Sequence, residues 1–421
     1  MLTAVVGINW GDEGKGRMVD LLSADYDIVC RYQGGNNAGH TVINDHGKIV
    51  LNLLPSGISR EGTVNVMGNG MVIDLEHLVH EIQSLREKGI HIGPDNLKIS
   101  DKAVICLPWH KMQDVMEEDR LKDKKFGSTR RGIGPVYADK YMKKAVRMGD
   151  LFAPDKLPEK VADLTEWKNL TVRGYGHEPV KAEDILAWLH EFGDPIKPYI
   201  TDVSDYLYDA AAAGENIMFE AQLGALRDIE FGIYPYTSSS CTLAGYAPIG
   251  AGIPGLKLDK TIGIMKAYSS CVGEGPFTVE MFGDEAEALR RAGGEYGAAT
   301  GRPRRVGAFD VPASRYGVRM HGADCVALTK LDVLSYMEKI PVCVAYDING
   351  EITEKFPVGE RLNAAKPVFE YMDGFGDISG CRKPEDLPKA AMDYIRYLEA
   401  AVGCKIKYVS VGAGRDEYVE L

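Results

Sequence analysis

Short apolar segments alternate along the chain with longer segments in which apolar residues recur every three or four positions. The short segments predict strands at 2–8, 28–32, 48–54, 64–67, 217–219, 262–267, 325–329 and 341–346. The longer ones predict helices at 75–88, 202–213, 285–292 and 388–402. Alternating strands and helices are typical of an α/β fold with a mostly parallel sheet covered by helices on both faces.

The length and the distribution of charge extend this prediction to the whole chain. Residues 110–200 are rich in Lys, Asp and Glu and contain few strand patterns, which predicts a mainly helical excursion from the sheet. No linker is long enough to mark a boundary, so we expect a single large domain over 1–421. Ligands of such a fold gather at the carboxyl ends of the strands.

Composition excludes several classes of function. The formal net charge of −12 argues against a general nucleic-acid or membrane-surface binder. No apolar segment is long enough to cross a membrane, and no targeting segment is recognisable. The eight cysteines are scattered without a C-x-x-C pair, which favours reduced thiols in the cytoplasm over disulfides or a zinc site.

The first strand leads into a glycine-rich turn at 9–16, Asn-Trp-Gly-Asp-Glu-Gly-Lys-Gly, and then into a predicted helix. Such a turn offers backbone N–H groups and a helix N-terminus to phosphate. It departs from the G-x-x-x-x-G-K-[ST] pattern, since Asn9 and Gly16 occupy the first and last positions. Asp12 would repel a phosphate unless it holds a metal ion or removes a proton. The alternative is a tight connection between strand and helix.

Three further loops carry candidate chemistry. The loop 34–41 is rich in glycine and ends near His40, which is either an acid, base or phosphate donor or a structural histidine. The loop 124–135 combines hydroxyls and guanidinium groups suited to a phosphate monoester, or is a solvated basic loop. The loop 300–305 holds three arginines in four positions, which favours an anionic ligand such as a carboxylate.

The tetrapeptide Thr329-Lys330-Leu331-Asp332 follows a predicted strand. An Asp there can accept from N1–H and the exocyclic amine of guanine, whereas adenine would leave the carboxylate unsatisfied. The segment is similar to the guanine-reading N-K-x-D element of GTPases.

Taken in order, these loops, with 55–58, 68–70, 234–236 and 266–268, resemble the adenylosuccinate synthetase family nearly from end to end. The resemblance implies a P-loop-like GTP-binding ligase fold and a homodimer. It also implies that L-aspartate is joined to IMP at the expense of GTP, with Mg²⁺, giving adenylosuccinate, GDP and phosphate through a 6-phosphoryl intermediate. Asp12 would be the base and His40 the donor to the transferring phosphoryl group.

The family pattern also implies a role for each matching position. For GTP these are Glu13, Gly14, Lys15, Gly16, Gly39, Thr41, Lys330, Asp332, Ser410 and Gly412. For IMP they are Asn37, Thr129, Lys143, Gln222, Ser238 and Arg302, with Lys143 reaching across the dimer interface. For aspartate they are Val272, Thr300, Arg302 and Arg304, and for the metal Asp12 and Gly39.

Some positions depart from the family's usual residues. Where the family reads Glu-Gly-Ala-Gln-Gly, this chain reads Glu-Ala-Gln-Leu-Gly, so that Leu223 occupies the glutamine position. Either Gln222 reaches the purine by a one-residue slip or that amide contact is absent. Cys271 replaces a common arginine, and Lys143 replaces an arginine with loss of its fork. Arg17 replaces a lysine, Arg130 a glycine and Ser238 a threonine.

Two alternatives stay open on sequence grounds. The same mechanism could act on another purine nucleotide such as dGMP, although distant relatives of that kind lack the base that Asp12 provides. A GTP-binding regulatory paralogue with weak catalysis is the other, but a switch that only binds GTP has no need of the arginines at 302–305.

Overall fold

The computed structural model describes residues 1–37, 39–44, 47–296, 301 and 303–421, without the side chains of residues 43 and 44. Strands, in chain order, are Leu2–Gly7 (β1), Ile28–Arg31 (β2), His40–Asn44 (β3), Gly47–Leu51 (β4), Val64–Met67 (β5), Val72–Ile73 (β6), Leu97–Ser100 (β7), Val104–Ile105 (β8), Ile200–Thr201 (β9), Ile217–Gly224 (β10), Lys260–Lys266 (β11), Ser269–Cys271 (β12), Arg305–Gly307 (β13), Phe309–Asp310 (β14), Cys325–Thr329 (β15), Lys339–Ile348 (β16), Glu351–Thr353 (β17), Ala365–Asp373 (β18), Ile406–Ser410 (β19) and Tyr418–Glu420 (β20). Helices are Lys15–Leu22 (α1), Leu75–Glu87 (α2), Pro108–Leu121 (α3), Ile133–Tyr141 (α4), Leu157–Gly174 (α5), Ala182–Gly193 (α6), Val203–Ala212 (α7), Ala247–Ala251 (α8), Gly283–Gly293 (α9), Val311–His321 (α10), Glu360–Asn363 (α11) and Lys389–Val402 (α12).

Within the described chain, ten strands form one central sheet in the order β20-β19-β15-β11-β1-β10-β2-β5-β7-β9. Every neighbouring pair is parallel except β19 and β20, which are antiparallel. The predicted α/β fold around a mostly parallel sheet is therefore confirmed. The strand β1 lies at the centre, between β10 and β11.

The two faces of the sheet are buried by different helices, as the alternation of side chains along β1 illustrates. Val5 packs in a cluster with Met18 and Val19 of α1. Ala4 and Val6 point to the other face and pack in a cluster with residues of α7 and α8. Burial on both faces explains why β1 is a continuous apolar run rather than an alternating one.

Two of the predicted strands lie outside the central sheet. The segment 48–54 overlaps β4, which forms an antiparallel hairpin with β3. The segment 341–346 lies in β16, which pairs antiparallel with β17 and β18 in a separate sheet. Apolar content predicts both strands, but it does not indicate which sheet a strand joins.

The segment 110–200 contains most of α3 and all of α4, α5 and α6. In the described part of the chain, no helix combines the length and the apolar character that crossing a membrane would need.

Because the central strands are parallel, their carboxyl ends meet at one edge of the sheet. The loops that follow β1, β2, β10, β11, β15 and β19 all leave from this edge. They include the glycine-rich loops after β1 and β2 and the segment 330–332 after β15, whereas the loops 124–135 and 300–305 follow helices.

Candidate active site

The loop after β1 delivers a helix N-terminus to this edge. Gly14 caps α1 in the left-handed region, with φ of 89°, a conformation that glycine adopts without strain. The carboxylate of Glu13 accepts from the backbone N of Asn9 at 3.1 Å and of Gly11 at 2.7 Å, and from Lys15 Nζ at 2.7 Å. Glu13 thus holds the turn in shape from inside, and it keeps the buried ammonium of Lys15 beside the start of α1.

Asp12 projects from the same turn toward the basic loop. Its backbone has φ of 58°, an uncommon value for a non-glycine residue. Its side chain is 35 % exposed, and Oδ2 lies 3.3 Å from Nε of Arg304. The predicted base and a predicted aspartate ligand are therefore neighbours.

A buried carboxylate that the sequence analysis missed, Glu295, organises the cations around this point. Its Oε1 lies 2.8 Å from Nζ of Lys266 and 3.1 Å from Nζ of Lys330, and its Oε2 accepts from Arg304 at 2.9 Å. Burial alone would raise the pKa of Glu295, but the ammonium groups of Lys266 and Lys330 outweigh burial and hold that pKa well below its usual range. Glu295 thus connects Lys330, in the segment 329–332, to Arg304, in the basic loop 300–305.

His40, at the start of β3, is oriented by another carboxylate that was not predicted as a site residue. Its Nδ1 lies 2.5 Å from Oε1 of Glu220, and Glu220 also accepts from the backbone N of Ser56 at 2.7 Å and from the Ser56 hydroxyl at 2.5 Å. Both His40 and Glu220 are buried. Nε2 of His40 is buried and has no partner among the described residues, so it is available to a ligand.

Gln222 lies in the core of the site with its amide fully engaged. Its Oε1 accepts from Arg31 at 2.9 Å, and its Nε2 donates to Asn37 Oδ1 at 2.8 Å and to the Gly35 carbonyl at 3.1 Å. A Cβ at Gly34 would lie 1.7 Å from Oε1 of Gln222, so only glycine leaves room for this side chain. Gln222 thereby contacts a predicted IMP ligand, Asn37.

The neighbouring Leu223 occupies the position of the family glutamine and adopts φ of 63°. It lies against the first loop: a Cβ at Gly11 would be 3.5 Å from its Cδ2. An apolar side chain therefore lines this part of the site.

The predicted phosphate-binding residues differ in their surroundings. The Ser238 hydroxyl lies 3.1 Å from that of Ser240, which donates to Gln33 Oε1 at 2.9 Å. Thr129 is exposed on the loop before α4. Lys143 is exposed just beyond α4, with φ of 64°.

The segment 329–332, which is predicted to bind guanine, ends with the carboxylate of Asp332. Oδ1 of Asp332 is buried and has no partner among the described residues. Burial raises the pKa of Asp332, opposed by Arg17 and Lys330. Arg17 donates to the Ser410 hydroxyl, to the Gly412 carbonyl at 2.5 Å and to the Gly414 carbonyl at 2.6 Å. Arg17 therefore fixes the loop after β19 against α1, beside Asp332.

The remaining predicted residues lie beside or within β3, after β12, or outside the described part of the chain. Gly39 is exposed directly before β3, Thr41 is half-buried within it, and Val272 is 55 % exposed after β12. Thr300 and Arg302 fall outside the described residues. The described residues contain no group of three or more His, Cys, Asp or Glu side chains that could hold a metal ion by themselves.

The sequence analysis did not identify three buried charged residues of the site, namely Glu220, Glu295 and Arg227. Each lies outside the glycine-rich and basic patterns, and each acts on a partner far away in the chain, as Glu220 does on His40 over 180 positions. A charged residue inside the apolar segment 217–224 was the only available signal for Glu220.

The family model for adenylosuccinate synthetase matches residues 4–419. The adenylosuccinate synthetase of Caldanaerobacter subterraneus subsp. tengcongensis is 44 % identical over 423 residues, covering 100 % of this chain and 99 % of the relative. That of Streptococcus gordonii is 42 % identical over 416 residues, covering 98 % and 96 %.

Two solved structures are also similar. Fully ligated adenylosuccinate synthetase from Plasmodium falciparum has a TM-score of 0.92 at 35 % identity and covers 100 % of this chain and 99 % of that one. The succinoaminodeoxyadenylate synthetase of cyanophage S-2L, bound to dGMP and to dATP as an energy donor, has a TM-score of 0.61 at 18 % identity, with 100 % and 95 % covered. At that identity the second likeness shows the fold alone.

Proposed function

The chain belongs to the adenylosuccinate synthetase family, and on that premise we propose that it joins L-aspartate to IMP through a 6-phosphoryl-IMP intermediate. It is a GTP-binding ligase of purine biosynthesis. The overall reaction consumes GTP and yields adenylosuccinate, GDP and phosphate. The observation that carries the proposal is the 3.3 Å contact between Asp12 and Arg304, which puts a base beside a cation suited to a carboxylate substrate.

In the first step Asp12 removes the N1 proton of the hypoxanthine. The negative charge then moves to O6, which attacks the γ-phosphorus of GTP and releases GDP. The partial exposure of the Asp12 carboxylate supports this role, because a base must be reachable by its substrate.

His40 stabilises the charge on the transferring phosphoryl group. Nε2 of His40, which has no partner among the described residues, supports this role, and Glu220 fixes the orientation of the ring through Nδ1. Lys15 and the N-terminus of α1 bind the other phosphate oxygens. Positioned charge of this kind dominates catalysis of phosphoryl transfer.

Mg²⁺ is the metal that we expect, held by the Asp12 carboxylate, the backbone of Gly39 and the substrate phosphates. One carboxylate with substrate oxygens is the donor set that Mg²⁺ ordinarily uses in nucleotide sites, so the residues present fit the ion. When bound, the ion neutralises charge on the phosphates.

In the second step the amine of aspartate attacks C6 of the intermediate, the C6–O bond breaks, and phosphate leaves. We assign the aspartate carboxylates to Arg304, Arg302, Thr300 and the backbone of Val272. The position of Arg304 beside Asp12 supports this assignment, because it brings the bound amine close to the purine carbon that the base has activated.

Asp332 reads guanine through N1–H and the exocyclic amine, and Lys330 covers the ring. Oδ1 of Asp332 is buried and has no partner in the described part of the chain, which supports this role. Ser410 and Gly412 complete the nucleotide pocket, and Gly16 and Thr41 contribute near the phosphates.

IMP is bound by Asn37, Thr129 and Ser238, with Arg302 and, across a homodimer interface, Lys143. Exposed Tyr141 and Met142 next to Lys143 support an interface at this position. The eight cysteines, all unpaired, support a cytoplasmic location.

A purine substrate other than IMP, such as dGMP, is the second candidate. It is disfavoured for two reasons. The likeness to the cyanophage enzyme extends only to the fold, and this chain has Asp12, the base that distant relatives of that kind lack. A regulatory GTP-binding paralogue is disfavoured by the Asp12–Arg304 pair, which GTP binding alone does not require.

The proposal is tested with purified protein, GTP, Mg²⁺ and L-aspartate against IMP, dIMP, GMP and dGMP. Adenylosuccinate formation with IMP, at one phosphate released per product, is the expected result. Preferred turnover of dGMP would replace the proposed substrate, and GTP binding without product would leave only the regulatory function.

A further inference from the structure

Arg227 lies just after β10, buried, with its guanidinium directed into the loop that follows β12. Its Nη2 donates to the Val272 carbonyl at 2.5 Å and lies 2.9 Å from Sγ of Cys271. Its Nη1 donates to the Glu274 carbonyl at 3.3 Å and to the Tyr236 carbonyl. One side chain therefore holds two separate loops of the site.

A second arginine holds the same loop from the opposite side. Nη1 of Arg305 donates to the Gly273 carbonyl at 3.4 Å and to the Gly275 carbonyl at 2.8 Å. Arg227 and Arg305 thus take alternate carbonyls of 272–275, which fixes the direction of every peptide group in that loop. Glu280 pairs with Arg305 at 2.5 Å and balances its charge.

The loop 272–275 also packs on the predicted phosphate loop. A Cβ at Gly127 would lie 3.2 Å from the backbone N of Glu274, so the two loops are in close contact. On the other side, the backbone N of Ser238 donates to the Arg227 carbonyl at 2.8 Å. The parts of the site assigned to aspartate and to the IMP phosphate therefore meet around Arg227.

Cys271 lies at the position where the family commonly has arginine, directly opposite Arg305 in the β12–β13 pair. In this chain a guanidinium is nevertheless present beside position 271, supplied by Arg227 from the turn after β10. An arginine at 271 in addition to Arg227 and Arg305 would bring three guanidinium groups together. Among the described residues, Glu280 is the only acidic side chain that contacts Arg305.

We propose that Arg227 is a positioning residue for aspartate: it replaces the guanidinium absent from position 271 and sets the loop that presents the Val272 backbone to the substrate. The inference rests on the proposed function and deepens its account of the aspartate site. Arg227 donates to backbone carbonyls of the loop 272–275, and it acts on the substrate through that loop.

The first test is Arg227→Met, which keeps the length and apolar stem of the side chain. The KM for aspartate rises about tenfold or more, because each lost hydrogen bond to a charged donor loosens the loop, while kcat and the KM for GTP stay within about threefold. Arg86→Met is the matched control. Arg86 donates to the Ile92 carbonyl at 2.6 Å near the end of α2, remote from the site, and its loss leaves all three parameters unchanged.

The second test moves the guanidinium back to position 271. Cys271→Arg alone impairs aspartate binding, because two buried guanidinium groups then compete for one place. The double variant Arg227→Met with Cys271→Arg recovers most of the aspartate affinity that either single variant loses. A loss of folding lowers the amount of active enzyme and therefore kcat, whereas a loss of positioning raises the KM for aspartate, so the split between KM and kcat separates positioning from stability.

An unchanged KM for aspartate in Arg227→Met, or a double variant as weak as the sum of the single ones, would overturn the inference. Failure of the proposed function is distinguishable, because it appears in the unmodified protein as absence of adenylosuccinate from IMP and aspartate.

Discussion

The carboxylate of Glu220 and the imidazole of His40 form a buried pair, with Oε1 of Glu220 2.5 Å from Nδ1 of His40. Burial alone would raise the pKa of Glu220, but His40, Arg31 and the Ser56 hydroxyl outweigh burial and hold that pKa below its usual value. The carboxylate is therefore an acceptor, and Nδ1 of His40 is the donor. Nε2 can then donate to a phosphoryl oxygen only while the ring is an imidazolium.

Glu220→Gln tests this relationship. The amide can still accept from Nδ1 but removes the negative charge beside the ring, so we expect kcat to fall roughly a hundredfold. Steady-state kcat, with GTP affinity and the thermal midpoint as controls, measures this. An unchanged kcat, or a loss of kcat that follows a lowered thermal midpoint, would indicate that Glu220 only supports the fold.

Asp12→Asn tests the assignment of the base. The amide is nearly the same shape but cannot take the N1 proton, and general bases contribute factors of about 10² to 10⁴, so synthesis falls by at least that range. GTP binding, followed by calorimetry, stays measurable. A variant with near-normal turnover would remove Asp12 from this role.

Asp332→Asn tests how guanine is read. Its carboxylate has a buried Oδ1 without a partner in the described structure, and replacing it with an amide leaves one guanine donor unmatched. We expect the KM for GTP to rise about 10- to 100-fold, since a hydrogen bond to a charged group contributes about 1.5–3 kcal/mol. Competition among nucleoside triphosphates measures the preference, and an unchanged preference would contradict the assignment.

Gln222→Glu tests whether the shifted glutamine serves IMP through Asn37. The carboxylate keeps an acceptor for Arg31 but loses the donor to Asn37 Oδ1, which forms a 2.8 Å hydrogen bond in the native chain. We expect the KM for IMP to rise about tenfold from the loss of that bond and the repulsion that replaces it. The KM for GTP and the thermal midpoint provide the controls. An unaltered KM for IMP would show that Asn37 needs no such support.

The sequence predicts the sheet and the loops of the site for a physical reason: both depend on local pattern. The central strands are apolar runs, and parallel strands bring their following loops to one edge. The side chains that orient the site do not follow a local pattern. Glu295 is a single acidic residue before a basic loop, and its role depends on Lys266, at the end of β11, and Lys330, directly after β15.

The same distinction applies to Gln222. The sequence leaves open whether its amide contacts the purine or makes no such contact. In the folded chain the space beside Gly34 and the buried guanidinium of Arg31 direct the amide toward Asn37. The sequence pattern does not predict this direction, because Arg31 is 191 positions away in the chain.

Asp310 makes the stability of this protein depend on pH. It caps α10, accepting from the backbone N of Ala313 at 3.0 Å and from the Tyr346 hydroxyl at 2.7 Å, and it is fully buried. Burial raises the pKa of Asp310 to about 7. Between the ordinary pKa of an aspartate, about 4, and this value, the folded chain holds a proton that the unfolded chain has lost. The free energy of unfolding therefore falls as the pH rises through this window and is level above it.

Asp310→Asn removes this dependence, because an amide does not ionise and can still cap α10 and bond the Tyr346 hydroxyl. The variant is expected to be more stable than the native chain at pH 8, by an amount on the order of 4 kcal/mol, and close to it at pH 4. Urea unfolding at several pH values measures the difference. Asp209→Asn, at an exposed position on α7, is the control and keeps the native slope. Parallel profiles for Asp310→Asn and the native chain would show that another buried carboxyl, such as Glu81, whose pKa burial also raises, is the source.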